Sequence, residues 1–246
     1  MRKFKVILAS SVNNVIGKGN MLPWKIKKDI EYFRKLTTFS PDDRKNIVII
    51  GRKTWESLPK NKLPNRIPIV ISSTILQPND GSYYVVCSFD EAIMVAYNIK
   101  RYDIWVIGGK SVYISAFNHF MCGPIYHTKI LQEYMGDVTL ELPPYKLLDF
   151  NKKKNLEFRQ LELNGETNYL RILSKILYKG KMRMTRNAKT YSIFDNSITF
   201  DMNDGFPLLT TKKMFWKGIV EELLFFIRGD TDSKHLEEKG VKIWQG

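Results

Sequence analysis

Cysteine and histidine are scarce in this sequence. Two cysteines among 246 residues, Cys87 and Cys122, exclude a disulfide framework and any four-thiolate metal site. Three histidines, His119, His127 and His235, leave little from which to build a zinc centre, so no metal is expected. No basic-then-apolar segment opens the sequence, and no run of about 18 apolar residues occurs in it. The expectation is a soluble, cytoplasmic protein with no membrane partner. Acids are also short, with 25 Asp and Glu against 39 Lys and Arg, a formal net charge of +14. Residues 151–190 alone carry 11 basic and 3 acidic residues, so a net +8 of that excess sits in one stretch. Such a strip attracts phosphates or small anionic substrates, or keeps a junction solvated. No zinc-finger, helix-turn-helix or RNP-type pattern accompanies it, which leaves nucleic-acid or other polyanion binding as the weaker alternative.

What is present is a globular composition, 43% hydrophobic and 26% charged, of a length that suits one large or two small domains. Short apolar runs of strand length occur at 4–10, 47–50, 67–72 and 104–107. They are apolar on both faces, which suits a mostly parallel sheet covered by helices. Amphipathic stretches at 27–38, 53–58, 89–99 and 110–120 supply those helices, and 125–130, 138–142 and 156–163 read as later strands, the last ones antiparallel. After Asn164-Gly165 the texture changes. Helical spacing over 167–179 (Tyr169, Ile172, Leu173, Ile176, Leu177) precedes two β-like segments at 189–194 and 197–202. A helix is then expected from Trp216 to Arg228, stopped by Gly229. The boundary is placed at 164/165.

Several segments carry chemistry. In the first helix Ile26, Asp29, Phe33 and Leu36 share one face, which puts a carboxylate on an apolar stripe. A buried carboxylate either finds donors or holds its proton to higher pH. The spacing alone equally admits a first-turn acid favoured by the helix dipole. Gly17 and Gly19 lend the preceding loop its freedom to bend. Two strand-to-helix turns, Gly51-Arg52-Lys53-Thr54 and Gly108-Gly109-Lys110-Ser111, offer small residues, free N–H groups and cations to a phosphate. Neither matches the G-x-G-x-x-G dinucleotide fingerprint.

Taken together and in order, Ile16-Gly17, Leu22-Pro23-Trp24, Asp29, Phe33, the run Gly51 to Pro59, Val106-Ile107-Gly108-Gly109 and His127-Thr128-Lys129-Ile130 resemble the dihydrofolate reductase family over residues 4 to about 163. The resemblance implies an α/β fold with a mostly parallel sheet and flanking helices, and NADPH-dependent reduction of dihydrofolate. It implies Asp29 as the catalytic carboxylate binding the pterin 2-amino group and N3, with Thr128 orienting it and Leu22 beside it. Ile7, Ala9, Phe33, Ile107 and Tyr113 would line the substrate slot, and Arg66 would clamp the glutamyl carboxylate. For the cofactor it implies Ala9 together with Val15, Ile16, Gly17, Lys18, Gly19, Asn20 and Met21 as a lid over the nicotinamide. Arg52, Lys53 and Thr54 would hold phosphates, and Gly108, Gly109, Lys110, Ser111, Val112 and Tyr113 would wrap the pyrophosphate. Ser72, Ser73 and Thr74 match the region of the adenosine 2′-phosphate. Many relatives carry an arginine where Ser73 stands, which leaves Arg52 as the main candidate for that charge.

From about 166 onward, Phe206 to Gly218, Glu221-Glu222-Leu223-Leu224 and Phe226-Ile227-Arg228-Gly229-Asp230 resemble the beginning of thymidylate synthase, a partial α+β segment. The order of the two parts is that of the bifunctional dihydrofolate reductase–thymidylate synthases. The resemblance implies Glu222, Trp244 and either Arg186 or Arg183 on the side that takes dUMP and methylenetetrahydrofolate, and a homodimeric full-length parent. That family attacks dUMP with a cysteine. Both cysteines here lie in the reductase portion, so a fragment or truncated product of a longer bifunctional chain is expected, with the apolar face Ile219, Val220, Leu223, Leu224 and Ile227 lacking its partner sheet.

Overall fold

The structure, a computed structural model, describes residues 3–42, 44–59, 62–99, 102–185, 188–194, 196, 198, 200, 202 and 205–243. The chain divides after residue 199 into two compact units.

The first unit is organised by one eight-stranded sheet. The strands are β1 (Phe4–Ser11), β3 (Asn46–Gly51), β4 (Arg66–Ile71), β5 (Tyr84–Val86), β6 (Ile104–Val106), β7 (Cys122–Ile130), β9 (Tyr145–Lys153) and β10 (Leu156–Leu163). Their order across the sheet is β5-β4-β3-β6-β1-β7-β10-β9. The first six run parallel, and β10 and β9 are antiparallel. A second pair, β2 (Val15–Gly17) with β8 (Val138–Thr139), ties the loop after β1 to the segment after β7. Helices α1 (Lys27–Thr38), α2 (Arg52–Glu56), α3 (Phe89–Asn98) and α4 (Lys110–Asn118) supply the parallel connections.

Parallel strands need cover on both faces, and two buried clusters give it. One gathers Phe4, Val6, Leu8, Ile47, Ile49, Ile69, Val106 and Leu161 with apolar residues of α3 and α4. The other, with Ile7, Val48, Ile50, Trp55, Val70, Trp105 and Ile107, is met by Phe33 and Leu36 of α1. Alternate residues of β1 and β3 thus point to opposite clusters, as strand geometry requires.

The expected strands at 4–10, 47–50, 67–72 and 104–107 and the expected helices fall where the sequence put them, with no end shifted by more than two residues. The expected 138–142 strand shrinks to Val138–Thr139; Leu140, the next residue, is buried in the core and its N–H donates to the Asn14 carbonyl at 2.9 Å. Residues 198, 200 and 202, inside the segment expected to be β, lie outside any strand. Helix α5 (Gly165–Lys179) forms as expected, capped by the Asn164 side chain on the Thr167 N–H. Its buried residues are nonetheless Thr167 and Arg171, while Leu173 and Leu177 of the apolar stripe are exposed. The Thr167 hydroxyl donates to the Pro144 carbonyl at 2.9 Å, which fixes the helical phase from the first turn. A short hairpin of β11 (Lys181–Met184) and β12 (Lys189–Ser192) follows.

The second unit contains α6 (Trp216–Ile227) and α7 (Lys234–Glu238). Gly229, at φ +68, ends α6 as expected. Phe225, Leu236 and Val241 form its small core, and Lys239 meets Glu221 at 2.6 Å. Leu223, Leu224 and Ile227 are exposed. No helix among the described residues is long and apolar enough to cross a membrane.

Candidate active site

Asp29 stands in the first turn of α1 and is also buried, only 7% exposed, so the two readings of its position hold together. Helical spacing turns it toward β7, where Thr128, paired with Ala9 of β1, is 1% exposed. The Thr128 hydroxyl donates to the Asp29 carboxylate, and the Trp24 indole nitrogen, buried and without another acceptor among the described residues, faces the same group. Burial raises the Asp29 pKa above the ordinary carboxylate range, and these two donors pull it back only in part. The result is a carboxyl poised to exchange a proton inside an apolar wall.

That wall comes from β1, α1 and the end of β6. Ile7 and Ile107 are buried in the cluster that Phe33 packs against, and the Ile7 carbonyl accepts the Tyr113 hydroxyl at 2.8 Å. Burial and the nearby Asp29 charge push the Tyr113 pKa upward, so its phenol stays protonated. At the C-terminal end of α1, Arg66 is held by three contacts. Its Nη1 donates to Thr37 Oγ1 at 2.9 Å, its Nε to the Pro64 carbonyl at 3.1 Å, and its guanidinium lies 5.7 Å from the Phe33 ring centroid. Burial and the neighbouring Arg34 lower its pKa, and no carboxylate pairs with it among the described residues. An incoming carboxylate would meet a guanidinium already fixed in orientation.

On the other side of the slot two chain crossings touch. The Gly51 N–H donates to the Gly108 carbonyl at 2.6 Å, and the Gly108–Gly109 peptide is cis. Gly108 has φ +113, and a Cβ on Gly109 would stand 2.8 Å from Thr54 Oγ1. Only glycine fits this crossing. Helix α4 opens at Gly109 with no side-chain cap and no acid in its first turn, so its first N–H groups are left for an anion. Lys110 and Ser111 are exposed on that turn, while Val112 and Tyr113 face the core. This cradle of bare backbone, beside Thr54, suits the phosphates of a dinucleotide.

The remaining candidates divide. Lys18 and Met21 close a turn on each other, and the Gly19 N–H donates to the Asp137 carboxylate at 3.2 Å. The loop from Val15 to Met21 is thereby tied to the segment after β7, with Asn20 at φ +63 and with Met21 and Leu22 exposed. Arg52 is paired with Glu56 at 3.1 Å, and Lys53 is exposed. Ser72 is buried and its hydroxyl accepts the N–H groups of Thr74 and Ile75, which leaves Ser73 and Thr74 as the outward members of that turn.

Spacing had not exposed Trp24 as a neighbour of Asp29, Thr37 as the anchor of Arg66, Asp137 as the tether of the loop or Glu56 as the partner of Arg52. Only the last has a sequence signal, the i,i+4 interval of an ion pair on a helix.

In the second unit Glu222 lines a cavity of about 250 Å³ with Lys212, Lys213, Phe215, Gly218 and Ile243. Arg186 and Trp244 lie outside the described residues. Arg183 is exposed on β11.

Two family models match the sequence, Dihydrofolate reductase over residues 3–174 and Thymidylate synthase over residues 167–246. Among similar curated proteins, the bifunctional dihydrofolate reductase-thymidylate synthase of Paramecium tetraurelia is 35% identical over 266 residues, covering 100% of this chain and 56% of that protein. The protein of the same description from Daucus carota is 30% identical over 310 residues, covering 100% and 58%. That from Leishmania major is 28% identical over 298 residues, covering 100% and 56%. The chain thus spans a little over half the length of these relatives. With its first family model matching well over half of the sequence, across the sheet and the slot described above, the chain belongs to the dihydrofolate reductase family.

Proposed function

We propose that residues 1–164 form a reductase domain that converts 7,8-dihydrofolate to 5,6,7,8-tetrahydrofolate with NADPH, and that residues 165–246 begin a thymidylate synthase domain. The observation that carries the reading is the buried carboxyl of Asp29, hydrogen-bonded by Thr128 and walled by Ile7, Phe33 and Ile107. When bound, NADPH supplies the hydride that ends on the pterin C6. Asp29 would accept hydrogen bonds from the pterin 2-amino group and N3, and its raised pKa would favour delivery of a proton to N5 through water. Thr128 fixes the carboxyl, and Leu22 closes the slot over it. Arg66 would take the glutamyl carboxylate, with Phe33 under its guanidinium. Ala9 and the loop from Val15 to Met21 would cover the nicotinamide. Gly108, Gly109, Lys110, Ser111 and Thr54 would hold the phosphates, with Val112 and Tyr113 shaping the floor. Ser73, Thr74, Arg52 and Lys53 remain the groups for the 2′-phosphate, and Arg52 would have to exchange its Glu56 partner for it.

Synthase chemistry in a longer protein would take dUMP and methylenetetrahydrofolate near Glu222, with the nucleophilic cysteine coming from outside these 246 residues. Cys122 is buried with its thiol pushed up to about 12, and neither cysteine lies in the second unit. A homodimeric, cytoplasmic parent completes the reading, with the basic excess directed to small anions rather than nucleic acid. The test is loss of NADPH absorbance on addition of dihydrofolate. Asp29→Asn is expected to slow that loss by about 10²–10⁴-fold near neutral pH, the usual contribution of a positioned proton donor, while NADPH binding persists. Equal rates for variant and parent would remove the assignment.

A further inference from the structure

On the face of α1 turned away from the pterin slot, α1, β9 and β10 enclose a groove of about 450 Å³. That volume is in the range of small-molecule sites, roughly 300–1,000 Å³. Its floor is aromatic. The rings of Tyr32 and Phe158 lie 4.4 Å apart at 48°, both half-buried, and present their outer surface to the groove. Its rim is cationic. Lys28 and Lys35 come from α1 and Lys153 from β9, and none of the three has an ion-pair partner among the described residues. The lining carboxylate, Glu31, stands 3.8 Å from Lys27, outside the groove, while Lys152 turns to Glu157. The Asn151 amide also lines the groove and makes no hydrogen bond within the protein among the described residues.

These features select a ligand chemistry. Three exposed lysines against one lining carboxylate, Glu31, leave the rim cationic on balance, and such a rim draws an anion. Lys28 and Lys35 are seven residues apart on one helix, about 10.5 Å along its axis, so the cationic rim is long enough for an extended anion as well as a single phosphate. A half-buried aromatic floor adds nothing for a bare anion, but it stacks a heterocyclic base. The Asn151 amide offers one donor and one acceptor to the edge of such a base. We propose that this groove is a second ligand site that binds a nucleoside phosphate, with the base on Tyr32 and Phe158 and the phosphates at Lys28, Lys35 and Lys153. The site shares a cross-strand row with the slot, since Phe158 pairs with Thr128 on one side and Asn151 on the other.

The experiment is calorimetric titration of the full chain with ADP, adenosine and pyrophosphate. A saturable ADP site is expected that survives Arg52→Gln/Lys53→Gln on the opposite crossing. Lys28→Gln/Lys153→Gln should weaken it tenfold or more. Phe158→Leu should weaken it by about five- to a hundredfold, the usual range for one stacked base. Adenosine and pyrophosphate should each bind at least tenfold more weakly than ADP. The proposal is overturned if no saturable site exists, if Arg52→Gln/Lys53→Gln abolishes binding while Lys28→Gln/Lys153→Gln spares it, or if either half of the ligand binds as well as the whole. Each of those results leaves the reductase reading to its own assay.

Discussion

Acidification should unfold the first unit sooner than its surface charges alone would suggest, because two of its histidines are built into the fold uncharged. His127 on β7 is 2% exposed; its Nε2 lies 2.9 Å from Ser10 Oγ and its Nδ1 has no partner among the described residues. Burial, with Lys129 and Arg159 nearby, pushes its pKa down to about 3. His119 packs between Phe4 and Phe89, and burial pushes it down to about 4, against the weak pull of Asp90 at 3.8 Å. Above the unfolded value of 6.5, both histidines are neutral in either state and stability does not depend on them. Below it the unfolded chain binds protons that the native fold refuses, down to the folded values. Each group then costs about 1.4 kcal/mol per pH unit. Between pH 7 and pH 5 this integrates to about 2 kcal/mol per histidine, or roughly 4 kcal/mol together, a large part of the 5–15 kcal/mol that holds a typical domain. Asp29, with its raised pKa, acts in the opposite direction and trims the loss. The assay is urea unfolding at the two pH values, followed by the fluorescence of the buried Trp55 and Trp105. His127→Asn should weaken the fold at pH 7 through lost packing, yet remove about half of the pH-dependent loss. A wild-type loss below about 1 kcal/mol, or slopes unchanged in both His127→Asn and His119→Gln, would refute the reasoning.

Other perturbations test separate parts. Arg66→Ala should raise the KM for dihydrofolate by about 10–100-fold, the worth of a charge-assisted hydrogen bond at 1.5–3 kcal/mol, while NADPH affinity stays within twofold; equal weakening of both ligands would argue against the clamp. Gly109→Ala forces its new methyl against Thr54 Oγ1, so it should lower the Tm and NADPH affinity, at a cost of about 1–3 kcal/mol, and adding Thr54→Ala should restore part of the stability. Leu161→Ala removes a fully buried side chain that pairs with Ile125 across β10 and β7, and denaturant unfolding should register a loss of about 2–5 kcal/mol with kinetic constants little changed.

The sequence by itself settled those features that repeat over a few residues. The doubly covered strands β1, β3, β4 and β6 announced themselves as short apolar runs, and the phase of Asp29 with Phe33 and Leu36 followed from helical spacing alone. Where no such local signal exists, only the tertiary structure decided. Strand β9 is exposed along nearly its whole length, with Tyr145, Leu147, Leu148 and Phe150 all open to solvent, so no alternation marks it, and the pairing with β10 makes it a strand. Strand β2 exists through its bond to β8, about 120 residues away, and β5 through its pairing with β4. Helix α5 formed where its periodicity put it, but an anchor on Pro144 chose which face was covered. The same holds for the site. Helical spacing picked out Asp29, small residues picked out the glycine turns and the family resemblance added Arg66, whereas Thr37 beside Arg66 and Asp137 beside Gly19 came from contacts between segments 29 and 118 residues apart. A hydrogen bond across such a distance leaves no periodic trace, because its partners are set by how the sheet brings strands together.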